Sequence, residues 1–218
     1  MISDFFEKLQ KSAGPKLIPV IAIEAADQAI RLGTTLVENG LPIAEITFRT
    51  KAAGEAIRQL AKLEDLMLGA GTVLSTDQVQ EAVDAGAQFM VTPGFNPKVV
   101  DYCGKNRIPI IPGVCTPTEI EAALEYGLDV LKFFPAEAMG GIKTLKAFGG
   151  PYARVKFIPT GGINTTNLGD YLNLPNVLAC GGSWMVSKKL ISSNNYTEIA
   201  RLTREAILLC QQVCVSLP

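Results

Sequence analysis

The chain has 218 residues, a length that suits one folded domain better than two. Hydrophobic residues make up 48% of the chain and charged residues 19%, which allows a large core and excludes disorder of the whole chain. Because the net charge is −1 and no basic stripe interrupts the sequence, a nucleic-acid partner has no electrostatic support.

Histidine is absent from the chain. Its absence excludes Ser-His-Asp and Cys-His catalysis, histidine-ligated zinc, and any metal-dependent aldolase that relies on such ligands. The chemistry must therefore use lysine, carboxylates, tyrosine, cysteine, arginine or backbone groups. We expect neither a metal nor a cofactor.

The start of the chain and its apolar runs bear on location. Residues 1–14 mix acidic, basic and apolar side chains, which indicates a short amphipathic helix and not a signal peptide. Apolar runs such as 17–23 are too short to cross a bilayer, so we expect no membrane partner. Five cysteines without paired spacing favour free thiols and a reducing cytoplasm.

Short apolar runs alternate with helical patterns along the whole chain. The predicted strands are 17–23, 43–49, 66–71, 88–94, 108–114, 130–136, 155–162 and 177–183. Parallel strands need crossover helices, so eight such units predict an α/β fold, a (β/α)8 TIM barrel with an N-terminal helix, as a single domain over 1–218. The alternative is an open doubly wound sheet, which a Gly-x-Gly-x-x-Gly after the first strand would favour; that motif is absent.

Several helix boundaries are marked by their residue types. Ser75 with Gln78 resembles a capping box, and Thr116 with Glu119 forms a complete one around a first-turn proline. Predicted helices end at glycines: Gly40, Gly86 and Gly127.

The second predicted strand carries charged residues. Side chains alternate along a strand, so Glu45, Thr47 and Arg49 share one face. If Ile46 and Phe48 pack under the helices, Glu45 and Arg49 point into the barrel, where charges without partners are costly. Two interpretations stay open at this point. One is a structural ion pair or hydrogen-bonded core network, and the other is a general acid/base beside a carboxylate-binding arginine.

The sixth predicted strand carries a lysine on the same face as Val130 and Phe134, namely Lys132. Apolar surroundings favour the uncharged amine, which is the nucleophile that Schiff-base chemistry on a ketone requires. The alternative is a lysine that reaches out to solvent at the rim. Lys156 repeats the Lys-Phe-x-Pro spacing, and periodicity does not choose between the two lysines. The preceding charge, Arg154, hints that Lys156 lies nearer the solvated lower rim.

Glycine pairs end the last two predicted strands, at 161–162 and at 181–182, and Ser183 follows the second pair. Exposed backbone N–H groups after these strands of a barrel often bind phosphate, although each pair alone could be a tight turn. Thr72, directly after the Gly-Ala-Gly segment 69–71, is a generic candidate donor at the same rim.

Six segments together resemble the 2-keto-3-deoxy-6-phosphogluconate (KDPG) aldolases, which often also act as 4-hydroxy-2-oxoglutarate (KHG) aldolases. They are EITFRT (45–50), GAGTVL (69–74), VTPG (91–94), LKFFPAE (131–137), PTGGI (159–163) and GGSW (181–184). The segments occur in the family's order, and the similarity covers nearly the whole chain.

The resemblance implies a role for each candidate residue. Lys132 corresponds to the Schiff-base lysine, which leaves Lys156 without a catalytic role, and Glu45 corresponds to the acid/base. Arg49 and Thr72 correspond to the residues that bind the substrate carboxylate. Pro93 and Phe134 correspond to residues that line the pocket. Matches to the phosphate site are Gly161, Gly162, Gly181, Gly182 and Ser183.

The resemblance also implies the reaction. A class I aldolase of this family cleaves KDPG to pyruvate and glyceraldehyde 3-phosphate, and KHG to pyruvate and glyoxylate, as a cytoplasmic homotrimer in the Entner-Doudoroff pathway. Alternatives within the class are an aldolase for the galactonate-derived epimer and one that mainly cleaves unphosphorylated KHG. An alternative from another class is a phosphate-binding barrel without imine chemistry, such as an isomerase or a silent binding protein.

Overall fold

The computed structural model describes residues 16–215. The helix predicted for 1–14 lies outside the described residues. The strands within them are β1 (Leu17–Ile21), β2 (Ile43–Thr47), β3 (Met67–Gly71), β4 (Phe89–Val91), β5 (Ile110–Ile111), β6 (Gly113–Val114), β7 (Val130–Phe133), β8 (Lys156–Pro159) and β9 (Cys180–Gly182).

The strands form two parallel sheets. One has six strands in the order β5-β4-β3-β2-β1-β9, and the other has the order β6-β7-β8. Neighbouring strands run parallel throughout, for example with Glu45 opposite Gly69 and Lys132 opposite Ile158. Isolated parallel bridges, Phe157–Val177 and Thr160–Gly181, connect the β8 side of the small sheet to the β9 side of the large one. The α/β class predicted from the sequence is confirmed, with a curled six-stranded parallel sheet.

The run predicted as one strand over 108–114 is interrupted at Pro112. Proline has no backbone N–H to donate to a neighbouring strand, so the run divides into β5 and β6, which belong to different sheets. The carbonyl of Pro112 still accepts a hydrogen bond from the backbone N–H of Lys132 at 2.9 Å. The prediction of one unbroken strand over 108–114 was therefore wrong.

Helices connect successive strands on the outside of the sheets. The α-helices among the described residues are Ala29–Glu38, Ala53–Leu60, Thr76–Asp84, Pro97–Lys105, Pro117–Glu125, Gly141–Phe148, Leu168–Leu172, Lys188–Ser192 and Tyr196–Val215. No helix of this part of the chain is long and apolar enough to cross a membrane.

The first of these helices shows why the sequence folds in this way. Ala29–Glu38 buries Leu32, Gly33 and Leu36, which the helical period places on one side. A β-carbon on Gly33 would lie 2.5 Å from a methyl carbon of Leu60, so glycine at this position permits close packing against the next helix. The apolar period of the sequence therefore fixes which helix face covers the sheet.

The predicted helix boundaries are confirmed. Ser75 accepts a hydrogen bond from the backbone of Gln78, and Thr116 and Glu119 form a full capping box. Three glycines with positive φ follow their helices as predicted: Gly40, Gly86 and Gly127.

The predicted strands run longer than the observed ones, mostly at their carboxyl ends. Phe48 and Arg49, for example, lie in a turn after β2, and residues 134–136 lie outside β7. Apart from Arg49 these residues are apolar, as strand residues often are, but their backbones lie outside the sheet. The extra residues are therefore those that surround the site.

Candidate functional site

Lys132 lies in the centre of the small sheet. It sits on β7, with Gly113 of β6 opposite it on one side and Ile158 of β8 on the other. Only 5% of the residue is exposed. Its Nζ lies 5.1 Å from the centre of the Phe134 ring, which confirms that the two side chains share a face. The interpretation of Lys132 as a lysine that reaches solvent at a rim is therefore wrong.

Glu45 is the ionic partner of Lys132. Its Oε1 lies 3.4 Å from the lysine Nζ, and the residue is 3% exposed. The two residues are 87 positions apart in sequence, and they come from different sheets, on β2 and β7. Because charges inside a protein are stable only with a partner, each residue helps to keep the other there. The pair combines a nucleophilic amine with a proton acceptor.

Arg49 is at the rim above Glu45 and not inside the sheet. Residue 49 is exposed, in the turn that follows β2. Its Nε donates a hydrogen bond to Oγ1 of Thr47 at 2.9 Å, and the Thr47 hydroxyl donates to the carbonyl of Ile21 at 2.7 Å. The expectation that Arg49 points inward from a strand was wrong, because the strand ends at Thr47. Glu45 pairs with Lys132 and not, as the structural alternative had it, with this arginine.

Thr47 is a site residue whose role the sequence did not reveal. It is 1% exposed, and it connects the backbone of β1 to the guanidinium of Arg49. The strand alternation that grouped it with Glu45 and Arg49 was the only available signal. A buried threonine among apolar residues looked like an ordinary strand former.

Thr72 and Pro93 lie at the ends of the neighbouring strands. Thr72 directly follows β3 and has a φ of 55°, a backbone conformation that is uncommon for a β-branched residue. Such backbone conformations cluster at functional sites. Pro93 follows β4, and a β-carbon on Gly113 would lie 2.3 Å from its carbonyl oxygen. Pro93 is thus held against the direct neighbour of Lys132.

The two glycine pairs are adjacent in the fold. The bridge between Thr160 and Gly181 brings the segment 161–162 beside the segment 181–183. Gly161 and Gly162 have φ values of 102° and 84°, which L side chains rarely adopt. A β-carbon on Gly181 would lie 2.2 Å from Oγ1 of Thr160. Ser183 is exposed beyond the second pair. The geometry thus places both glycine pairs and Ser183 side by side at the carboxyl ends of β8 and β9.

Lys156 occupies the other end of its strand. It pairs with Val130, two residues before Lys132, so it lies one layer nearer the amino ends of the strands. Its Nζ donates to the carbonyl of Pro175 at 2.9 Å. This position agrees with the expectation, drawn from the neighbouring charge of Arg154, that Lys156 lies nearer the lower rim.

The cysteines whose side chains are described are mostly buried. Cys103, Cys180 and Cys210 are buried, as the sequence suggested, but Cys115 is only half-buried and its thiol donates to Glu119. The fifth, Cys214, has a side chain outside the described part. Residues 16–215 contain no cluster of acidic and cysteine side chains that could hold a metal ion.

The fold and the site together define a class of enzyme. A buried amine beside a buried carboxylate, contributed by the two parallel sheets of an α/β fold, is an arrangement with which a lysine forms an imine with a keto substrate. The backbone rim near it suits an anionic substituent. This is the class of the Schiff-base aldolases, which are carbon–carbon lyases.

Comparison with known proteins identifies the family. The family described as "Aldolase: KDPG and KHG aldolase" matches residues 7–202. A 2-dehydro-3-deoxy-phosphogluconate aldolase of Haemophilus influenzae is 54% identical over 200 residues, covering 91% of this chain and 94% of that protein. A KHG/KDPG aldolase of Escherichia coli strain K12 is 42% identical over 197 residues, covering 90% and 92%. The chain belongs to the KDPG and KHG aldolase family.

A solved structure adds a chemical comparison. It is a KDPG aldolase from Legionella pneumophila with pyruvate captured at low pH as a covalent carbinolamine intermediate. It is 41% identical to this chain, covers 87% of this chain and 93% of its own, and has a TM-score of 0.85.

Proposed function

We propose that this protein cleaves KDPG to pyruvate and glyceraldehyde 3-phosphate through a Schiff base on Lys132, and that it also cleaves KHG to pyruvate and glyoxylate. The observation that carries the proposal is the buried pair of Lys132 Nζ and Glu45 Oε1, 3.4 Å apart. The family to which the chain belongs, and the carbinolamine trapped in its Legionella relative, support the same chemistry.

The pair accounts for the first half of the reaction. Lys132 passes a proton to Glu45, and the resulting neutral amine adds to the C2 carbonyl of the substrate. Glu45 then gives this proton to the carbinolamine hydroxyl, which leaves as water, so that a protonated imine and the Glu45 carboxylate remain. Glu45, directly or through a water molecule, accepts the proton of the C4 hydroxyl. The electrons of the C3–C4 bond then move to the imine nitrogen, so that glyceraldehyde 3-phosphate leaves and an enamine remains.

The second half returns the enzyme to its starting state. The proton held by Glu45 passes to C3 of the enamine, which becomes the imine of pyruvate. Water then hydrolyses this imine, which releases pyruvate and restores the amine. The Phe134 ring, 5.1 Å from the lysine Nζ, shields this space from bulk solvent and stabilises a cation there.

The remaining site residues position the substrate. Arg49 and Thr72 bind the pyruvyl carboxylate, and this fixes C2 in front of the amine. Pro93 and Phe134 line the pocket. The phosphate is bound by the backbone of the two glycine pairs and by one hydroxyl: Gly161, Gly162, Gly181, Gly182 and Ser183.

We also infer that the two sheets act as one closed ring of eight β/α units, in a single domain over 1–218. In support, only Pro112 separates β5 from β6, and the bridges Phe157–Val177 and Thr160–Gly181 join the other edges. A homotrimer located in the cytoplasm and serving the Entner-Doudoroff pathway completes the proposal. Sedimentation of the whole chain measures the subunit number.

Trapping with borohydride tests the central assignment. Incubation with pyruvate and borohydride should give a reduced pyruvyl adduct on the peptide that carries Lys132. Lys132→Ala should abolish the adduct, and Lys156→Ala should leave it unchanged. An adduct on Lys156, or none on the wild-type protein, would overturn the mechanism.

Turnover tests the substrate. KDPG should release pyruvate rapidly, measured with lactate dehydrogenase as the coupling enzyme, and the galactonate-derived epimer should be cleaved more slowly. A faster rate on the epimer would reverse the substrate assignment and leave the imine mechanism in place.

A further inference from the structure

Glu137, the last residue of the segment LKFFPAE, contacts a residue far away in sequence. It lies in the short 3-10 turn Glu137–Met139 after β7. The hydroxyl of Tyr171, on the helix Leu168–Leu172, donates a hydrogen bond to its Oε1. Glu137 is exposed, whereas Tyr171 has no exposed surface at all. The mechanism described above gives neither residue a role.

The backbone of Glu137 holds the first glycine pair from one side. Its N–H donates to the carbonyl of Gly161 at 3.1 Å, next to the bond from Ala136 to Thr160 at 2.8 Å. A β-carbon on Gly162 would lie 2.5 Å from Cγ of Glu137, so the glutamate side chain lies directly against that glycine. Any movement of Glu137 would therefore move the glycine pair.

The segment that leads into the helix of Tyr171 holds the same pair from the other side. The side-chain amides of Asn164 and Asn167 donate to the carbonyl of Gly162 at 3.1 and 3.0 Å. The carbonyl of Asn167 accepts the backbone N–H of Tyr171 at 3.2 Å. The Glu137–Tyr171 bond therefore joins the two structures between which the glycine pair is held.

Tyr171 is a permanent donor. Burial raises the pKa of its phenol well above the ordinary value, and the hydrogen bond to Glu137 raises it further. The hydroxyl keeps its proton across the range in which the enzyme would work. The bond is shielded on one side only, because Tyr171 is fully buried and Glu137 is exposed.

We propose that the Glu137–Tyr171 hydrogen bond is a positioning device. It sets the backbone N–H groups of Gly161 and Gly162 for the substrate phosphate, and thereby determines the preference for phosphorylated over unphosphorylated keto acids. The inference rests on the proposed function, because it takes this glycine pair as the phosphate site. Neither residue touches the reacting atoms.

Two substrates separate positioning of the phosphate from general damage. Tyr171→Phe removes only the hydroxyl, and Glu137→Ala removes the acceptor from an exposed position. Each variant should raise KM for KDPG about tenfold, because the displaced glycine backbone would lose about one hydrogen bond to the charged phosphate of the substrate. The kcat for KDPG should change little, and both constants for the unphosphorylated KHG should stay close to their wild-type values.

The chain offers a matched control for these variants. The hydroxyl of Tyr152 donates to Glu121 at 2.9 Å, the same chemical pair on the outer surface. Tyr152→Phe should leave the KDPG/KHG ratio of kcat/KM unchanged. Glu137→Gln keeps an oxygen acceptor for Tyr171 and should restore most of the KM that Glu137→Ala loses.

Inorganic phosphate probes the site without chemistry. It should inhibit cleavage of KDPG competitively, and its inhibition constant should rise about tenfold in Tyr171→Phe and Glu137→Ala. Equal losses on both substrates, or unchanged phosphate inhibition in both variants, would overturn the positioning role. If Tyr171→Phe does not fold, Glu137→Ala with its Glu137→Gln rescue decides the question. A wild-type protein that cleaves neither substrate would instead refute the proposed function.

Discussion

A β-carbon on Gly71 would lie 2.1 Å from Oε1 of Glu45. The carboxylate that pairs with Lys132 thus occupies space that only a glycine on the adjacent strand leaves open. The segment GAGTVL therefore contributes to the site through the missing side chain of Gly71 as well as through Thr72. Glu45 is fixed by packing on one side and by an ionic partner on the other.

Gly71→Ala should therefore damage catalysis more than the fold. The new methyl group displaces Glu45 from Lys132, and loss of a positioned general base reduces kcat about 100-fold. Steady-state kinetics on KDPG measures the loss, and circular dichroism checks the fold. Gly69→Ala is the control, because its methyl group would meet the Phe89 ring at 2.2 Å and should lower stability instead. Full activity in Gly71→Ala would show that Glu45 does not need its present position.

Thr47→Val should weaken binding of the substrate carboxylate. Valine keeps the shape of threonine but removes the acceptor that Thr47 presents to Arg49 at 2.9 Å. We expect KM for KDPG to rise about fivefold with little change in kcat, since the cost is that of one hydrogen bond. Thr47→Ser should retain the wild-type KM. Thr35→Val, which removes a hydroxyl bonded within its own helix at 2.7 Å, serves as the control for lost stability.

Glu119→Ala should lower stability in a way that depends on pH. Burial acts to raise the pKa of Glu119, but hydrogen bonds from Cys115 and Thr116 outweigh it and hold the pKa below its ordinary value of 4.5. A lowered pKa means that the stabilisation is complete above pH 4.5 and is lost as the pH falls through the lower, folded-state pKa. Loss of such a capping box costs about 1 kcal/mol.

Urea denaturation at neutral pH and in acid measures this effect. The difference in free energy of unfolding between wild type and Glu119→Ala should be largest at neutral pH and should shrink in acid. Thr118→Ala, an exposed change in the same helical turn, should show a small difference that does not vary with pH. A difference for Glu119→Ala that grows in acid would contradict the assignment.

Cys103 should resist alkylation while the protein is folded. Burial raises the pKa of its thiol to about 12, so at pH 8 almost none of the reactive thiolate is present. Iodoacetamide labelling followed by peptide mass mapping should modify the half-buried Cys115 before Cys103. In denaturant the two should react at similar rates. Early modification of Cys103 in the native protein would show that the helix Pro97–Lys105 opens readily.

For the two candidate lysines, the strand pattern of the sequence did not predict their positions along the strand direction. Alternation grouped Lys132 with Val130 and Phe134, and Lys156 satisfied the same spacing. Only strand pairing shows that Lys156 lies level with Val130, nearer the amino ends. Register depends on partners that are distant in sequence, so a single strand pattern carries no information about it.

Interactions at the rim were the least predictable. Arg49 was expected within a strand, but β2 ends two residues earlier, because apolar rim segments resemble strands in composition. The bond between Glu137 and Tyr171 joins residues 34 positions apart, and a lone tyrosine in a short helix gave no sign of it. Capping boxes and helix-ending glycines, in contrast, were correct because their causes lie within a few residues.

Glu45 and Lys132 belong to different sheets, and Pro112 marks the join between those sheets on one side. The two reacting groups thus lie on opposite sides of the junction between the sheets. The distance between them therefore depends on how the two sheets are placed relative to each other. Mild heating or a low concentration of denaturant that separates the two sheets slightly should abolish the activity while the helices and strands persist. Loss of activity would then precede loss of secondary structure, and the catalytic rate would be the most sensitive measure of how the two sheets pack together.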